Sequence, residues 1–126
     1  MFRLSNRSNR RLEGVHEDLV RVVRAAITLT EVDFTVLEGL RTKERQRKLF
    51  NSGASTTMNS RHLTGHAVDL GAYLDGRIRW DWPLYYKIAD VMKEASRQLD
   101  IPIEWGGDWK SFKDGPHFQL PRKDYP

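Results

Sequence analysis

The chain has no cysteine among its 126 residues, which excludes a disulfide framework, a thiolate nucleophile and any thiolate ligand for a metal. This fits synthesis in a reducing cytoplasm. It also lacks any stretch long and apolar enough to span a membrane. Met1 to Arg11 is too rich in arginine and asparagine to supply the apolar centre of a signal peptide. No repeat, linker or low-complexity segment interrupts the rest, so the length predicts one domain over residues 1–126 with a single core and no further module. Charge of one sign is also scarce: 21 basic residues against 17 acidic ones give a formal net charge of +4. The basic run of Arg21, Arg24, Arg41, Lys43, Arg45, Arg47 and Lys48 is not interleaved with aromatics in the manner of a nucleic-acid platform, Phe34 being the one aromatic within it. It therefore reads as solvated helix faces rather than as a nucleic-acid platform.

What the chain does have is a compact polar segment, Ser60-Arg-His-Leu-Thr-Gly-His-Ala-Val-Asp69, that places His62 and Asp69 on either side of a glycine turn. Asp69 stands between Val68 and Leu70 in an apolar strand-like run. A carboxylate buried there needs a cation or several donors to offset its desolvation. Downstream, Asp114-Gly-Pro-His117 sets a carboxylate three residues before a histidine. Catalytic zinc commonly takes three protein ligands from His, Asp or Glu and keeps a fourth position for water, whose pKa it can lower to roughly 7. His62, Asp69 and His117 meet that count, and Asp114 is then free to manage the proton of the water. Glu104 and Asp108 are the alternative bases. His66 lies four residues from His62, but Leu63 stands where a His-Glu-x-x-His helix needs glutamate, and Gly65 and Val68 disfavour a helix. His66 is therefore not expected to be a ligand, and His16 reads as structural or exposed.

These residues carry a resemblance to the VanY-like zinc peptidases, the group of D,D-peptidases and L-alanyl-D-glutamate peptidases that includes short phage endolysins. The group's first signature, Ser-x-His-x-x-Gly-x-Ala-x-Asp, is matched by Ser60, His62, Gly65, Ala67 and Asp69. Its second, an acid and a histidine separated by two residues, is matched by Asp114 and His117, with aspartate where many members carry glutamate. A third, Gly-x-Arg-Thr-x-x-x-Gln, is matched by Gly39, Arg41, Thr42 and Gln46. The resemblance implies zinc as cofactor and Arg41 as the fixed cation that stabilises the oxyanion. It also implies that Ser60 and Gln46 hold substrate or the loops of the site, although both read equally well as cap and turn residues. Trp105 and Trp109 are expected either in the core and at its rim or as walls of a substrate groove.

The implied activity is hydrolysis of the peptide stem of bacterial peptidoglycan, as an L-alanyl-D-glutamate endopeptidase acting in phage lysis. The alternatives are a D-alanyl-D-alanine carboxypeptidase or dipeptidase, and a nonenzymatic zinc-retaining protein of the hedgehog type. The resemblance further implies a monomer without a separate wall-binding domain, without stable membrane insertion and without nucleic acid. Such a protein is made in the host cytoplasm and reaches the cell wall after holin-type release.

The apolar pattern predicts an α+β fold, a small mainly antiparallel sheet packed with two main helices, which the resemblance places among hedgehog and D,D-peptidase folds. Leu12, Val15, Leu19, Val22, Val23 and Ala26 predict one helix over about 10–28. Residues 34–38 read as a strand, and Thr42 caps a short helix over 43–50. Residues 51–59 read as an exposed loop. Strands are expected over 67–72 and 77–80 around Asp75-Gly76. A long helix follows Asp81 and Pro83, with Leu84, Ile88, Val91, Ala95 and Leu99 as its apolar face. Residues 103–105 and 117–120 predict two more strands, and residues 121–126 a tail.

Overall fold

The computed structural model describes all 126 residues. Its elements are α1 (Asn6–Arg11), α2 (Glu17–Leu29), β1 (Phe34–Glu38), α3 (Lys43–Asn51), β2 (Ala67–Leu74), β3 (Arg77–Arg79), α4 (Trp82–Leu99), β4 (Glu104–Trp105) and β5 (His117–Gln119). Short 3-10 turns occupy Arg61–Thr64 and Gly106–Asp108. Every strand pair is antiparallel. β2 is the axis of the sheet, with β1 along one edge. Its other edge is divided, β5 pairing with Ala67 to Asp69 and β3 with Ala72 to Leu74; β4 extends the sheet beyond β5. The expected α+β class is therefore what the chain adopts. No helix is long and apolar enough to cross a membrane.

α2 and α4 pack against each other and against the sheet. Leu19, Val22, Val23 and Ala26 of α2 meet Ile88, Ala89, Met92 and Ala95 of α4 over Val36, Val68, Leu70 and Phe118. Fully burying each larger apolar side chain is worth roughly 1.5–3 kcal/mol. The sheet is thus pinned on its helical face.

The single helix expected over 10–28 is two helices. The first ends at Arg11, Gly14 with φ +83 makes the left-handed turn between them, and the His16 side chain accepts from the Asp18 N–H to start the second. The break brings the chain against Gly65, whose carbonyl accepts the His16 N–H at 2.8 Å. Gly65 itself has φ +75, and a Cβ there would lie 2.3 Å from the Gly14 carbonyl oxygen. The two glycines make one crossing point directly behind the 60–69 segment.

The buried stripe of α4 is Tyr85, Ile88, Ala89, Met92 and Ala95, while Leu84, Val91 and Leu99 are only partly buried. Tyr85 turns the helix this way, because its hydroxyl donates to the Arg79 carbonyl at 2.6 Å and accepts from the Ala72 N–H at 3.1 Å. A polar tip satisfied in the interior lets the ring serve as core. The expected tail is also tied down. Arg61 donates to the carbonyls of Leu120 and Tyr125, and the Tyr125 hydroxyl donates to Asp18 at 2.7 Å.

Candidate active site

Asp69 lies on the central strand, with Glu38 of β1 opposite it on one side and His117 of β5 opposite it on the other. The β1 pairing slips between Val36 and Glu38, a bulge that aligns the Glu38 Cα with Asp69. His62 comes from the 3-10 turn before β2, where the Ser60 hydroxyl accepts the His62 N–H at 3.2 Å. The Asp114 N–H donates to the Gly106 carbonyl, and the Asp114 carbonyl accepts from His117 N–H at 3.2 Å. Residues separated by 79 positions therefore converge at one end of a three-strand platform.

His62 Nε2 and His117 Nδ1 each lie 3.2 Å from the same oxygen, Asp69 Oδ1. Their outer nitrogens are also engaged: His62 Nδ1 lies 2.8 Å from the Gly39 carbonyl, and His117 Nε2 lies 2.8 Å from Gln119 Oε1. The Gln119 amide nitrogen donates to Glu104, which fixes the orientation of that oxygen. A neutral imidazole has one N–H, and here each ring faces two acceptors. With the outer nitrogen donating, the inner lone pair points at a carboxylate, an arrangement that requires either an added proton or a metal cation.

The distances accommodate both, since 3.2 Å is a hydrogen-bond length and also suits a shared metal. Ligand bonds of about 2.0–2.2 Å make a tetrahedral zinc edge roughly 3.3–3.6 Å long, close to the two 3.2 Å separations. The ligand atoms of His62, Asp69 and His117 all lie within 4.8 Å of one another, a group able to hold a metal ion.

Charge in the site follows the same geometry. Burial pushes the Asp69 carboxyl up, but hydrogen bonds from His117 and His62 outweigh burial and hold it well below the usual range. For His117 burial acts downward, and Asp69 reverses it to leave the imidazole raised. Asp114 is raised by burial and by the neighbouring Asp69 charge, against the opposing pull of His117, His62 and Arg41. A carboxylate with raised proton affinity beside a cation-binding group suits proton transfer.

Arg41 is almost wholly enclosed. Its Nη1 donates to Gln46 Oε1 at 2.7 Å, and its Nη2 donates to Glu38 Oε1 at 2.6 Å and lies 3.8 Å from Asp69 Oδ2. Nε is buried without a protein partner. Glu38 also accepts from Arg45 Nε at 3.0 Å. Burial raises the Glu38 pKa, and the two arginines more than reverse this, leaving it lowered. Arg41 is thus the enclosed member of the basic run.

Glu38, Arg41, His62, Asp69, Asp114 and His117 line one cleft of about 680 Å³, with Arg45, Ser60, Trp109, Phe112 and Lys113 among its other walls. Trp109 is a rim aromatic whose ring centroid lies 5.2 Å from that of His117. Trp105 is not a groove wall. It is buried against Phe118, and its indole N–H donates to the Gly115 carbonyl at 2.7 Å. Gln46 is fully buried outside the lining, where its amide nitrogen holds Ser55 and the Thr57 carbonyl. It ties Arg41 to the 51–59 loop instead of facing the cleft.

His66 points elsewhere, to Thr64 at 2.7 Å and to the rings of His16 and Tyr125. Glu104 is engaged by Gln119 and Asp108 by Lys93, and neither lines the cleft. Sequence reasoning missed Glu38 and Gln119. Gln119 had a signal, since a residue two positions from His117 on a strand shares its face. Glu38 had none beyond closing a β-rich run, because the bulge that aims it is not visible in spacing.

A family model described as phage L-alanyl-D-glutamate peptidase matches residues 1–120. The chain is 30% identical over 128 residues to the L-alanyl-D-glutamate peptidase of Escherichia phage T5, covering 98% of this chain and 93% of that protein. It is 30% identical over 111 residues to the peptidoglycan L-alanyl-D-glutamate endopeptidase CwlK of Bacillus subtilis, covering 78% of this chain and 66% of that protein. Among solved structures, the Serratia marcescens L-Ala D-Glu endopeptidase ChiX superposes with a TM-score of 0.93 at 50% identity, over 98% of this chain and 94% of that one.

Proposed function

The chain belongs to the phage L-alanyl-D-glutamate peptidase family, and from that premise we propose that it is a zinc endopeptidase cutting the peptidoglycan stem between L-alanine and D-glutamate. The observation that carries the reading is the convergence of two imidazoles, each held by an outer acceptor, on one oxygen of Asp69. Asp114 and Arg41 open into the same cleft. His62, Asp69 and His117 are the proposed ligands.

When bound, zinc supplies Lewis acidity toward a water and the scissile carbonyl. Asp114 accepts the proton of the attacking water at a carboxylate oxygen and delivers it to the leaving amine nitrogen. Its raised pKa brings it closer to the neutral range in which both transfers are efficient. Arg41 is the fixed cation for the developing oxyanion. Glu38 and Gln46 hold its guanidinium in place, with Nη2 3.8 Å from Asp69 Oδ2 at the edge of the cleft. Ser60 and Trp109 border the space left for the peptide. The same proposal extends to lysis of an infected bacterium, with access to the wall through holin-type lesions.

Digestion of purified peptidoglycan tests the bond assignment. New amino-terminal D-glutamate is the expected end. Free D-alanine instead would make the protein a carboxypeptidase or dipeptidase using the same residues, and no new ends would leave a nonenzymatic zinc protein.

A further inference from the structure

We infer that the exposed aromatic face beside the cleft, formed by Trp80, Trp82 and Tyr86, is a binding site for the glycan strand that carries the stem. The inference rests on the peptidase reading above and names where the sugar part of that substrate lies. These are the end of β3 and the opening turns of α4, positions at which an amphipathic helix on a sheet would normally expose polar residues. Instead Trp80 is 62% exposed, Trp82 41% and Tyr86 54%. Contiguous exposed aromatics on a small domain mark a contact surface.

The face is built rather than incidental. Trp80 lies parallel to Tyr85, with ring centroids 6.2 Å apart and an interplanar angle of 4°, and Tyr85 is anchored through its hydroxyl to both β2 and the β3 end. Trp82 and Tyr86 are neighbours at 5.7 Å. Aromatic side chains held this way offer area at little entropic cost on binding. Sugar rings present flat arrays of C–H groups that pack on such faces, with hydroxyl and acetamido groups left at the rim.

Position selects the occupant. Trp80, Trp82 and Tyr85 line a shallow pocket of about 200 Å³ whose remaining wall includes Lys113 and Asp114, and both of those residues also line the cleft. The chain runs on from Asp114 beneath the Trp82 ring, so close that a Cβ on Gly115 would lie 3.2 Å from Cζ3. In peptidoglycan L-alanine is the first residue of the stem and is joined to the lactyl group of an amino sugar. At about 3.3–3.6 Å per extended residue, an L-alanyl bond held at Asp114 leaves the sugar within a residue or two of this pocket. A lipid surface or a second protein has no comparable reason to begin at Asp114.

The test uses the zinc-loaded protein and glycan strands freed of their stems, titrated by tryptophan fluorescence and by calorimetry. The parent binds the strands. Trp80→Ala binds roughly three- to tenfold more weakly, and Trp80→Phe recovers part of the loss. On intact peptidoglycan Trp80→Ala raises KM by the same factor with kcat unchanged, and on a sugar-free stem peptide it matches the parent. The inference is overturned if the parent does not bind the strands, if Trp80→Ala binds them equally, or if its loss is the same on both substrates. It is likewise overturned if Trp80→Ala abolishes self-association or binding to anionic vesicles while glycan binding is untouched. Failure of the peptidase reading is a separate result: the parent then leaves the sugar-free stem peptide uncut.

Discussion

Replacing Glu38 with glutamine keeps the shape of the side chain and removes the charge that steadies Arg41. The carboxylate accepts from Arg41 at 2.6 Å and from Arg45 at 3.0 Å, and the Arg41 side chain is 9% exposed against 58% for Arg45. A hydrogen bond to a charged group is worth roughly 1.5–3 kcal/mol when enclosed, whereas an exposed pair contributes about 1 kcal/mol at most. Gln46 still holds Arg41 Nη1, so Glu38→Gln should cost about 1.5–2.5 kcal/mol. With an unfolding entropy of about 2.1 cal/mol/K per residue, that is a fall in Tm of roughly 6–9 °C. Arg45→Ala should lower Tm by less than about 4 °C. Freed from Glu38, Arg41 has Asp69 Oδ2 at 3.8 Å as its nearest remaining anion. Turnover should fall about tenfold, less than the roughly hundred- to thousandfold expected for losing an oxyanion donor outright. Differential scanning calorimetry and initial rates on a stem peptide, with zinc content checked, measure both effects. If Glu38→Gln and Arg45→Ala are indistinguishable in Tm and kcat, Glu38 does not position Arg41 and the reasoning fails.

Removing zinc with a chelator should leave the protein folded but lower its Tm by about 10 °C relative to protein at a hundredfold excess over Kd, as read by calorimetry. The metal-free protein should be most stable, as far as this site is concerned, between about pH 4 and 6.5. Asp69, depressed in the fold, contributes above its unfolded value of 3.8 and loses that contribution as pH falls through its lower folded value. His117, raised in the fold, contributes below its unfolded value of 6.5 and loses that contribution as pH rises through its higher folded value. Zinc binding below that raised value must therefore displace a proton, measurable by calorimetry in buffers of different ionisation enthalpy; proton-neutral binding at pH 6 would contradict it. Gly65→Ala should destabilise by at least about 2 kcal/mol in urea titration, through its left-handed backbone and the approach to the Gly14 carbonyl.

Much of the site was legible because its chemistry is local in sequence. His62 and Asp69 lie in one ten-residue segment, and Asp114 and His117 sit three apart, so residue type and spacing single them out as candidates without a fold, whereas Ser60 came from the resemblance. Arg41 needed the resemblance, since nothing in composition distinguishes it from Arg45 or Arg47. Glu38 and Gln119 depend on register, one on a bulge and the other on which face of β5 meets the site. Trp105 was ambiguous for a similar reason: an aromatic beside a glycine-rich loop reads the same whether it lines the cleft or, as here, lies beneath it. In the fold, α3 was legible from Thr42 and β2 from its apolar run. The α1–α2 break was not, because the apolar spacing continues through Gly14 and masks its left-handed turn. The tail fails as a sequence reading because its anchors, Arg61 and Asp18, are distant in the chain.

The most direct measurement separates the proposed ligands from the proposed base by assaying zinc stoichiometry and stem-peptide cleavage in the same preparations of His117→Ala and Asp114→Asn. His117→Ala should lose both zinc and cleavage. Asp114→Asn should keep one zinc per chain while its turnover falls by about a hundredfold or more. Zinc lost from Asp114→Asn, or cleavage retained by it, would contradict the division of labour between these two residues.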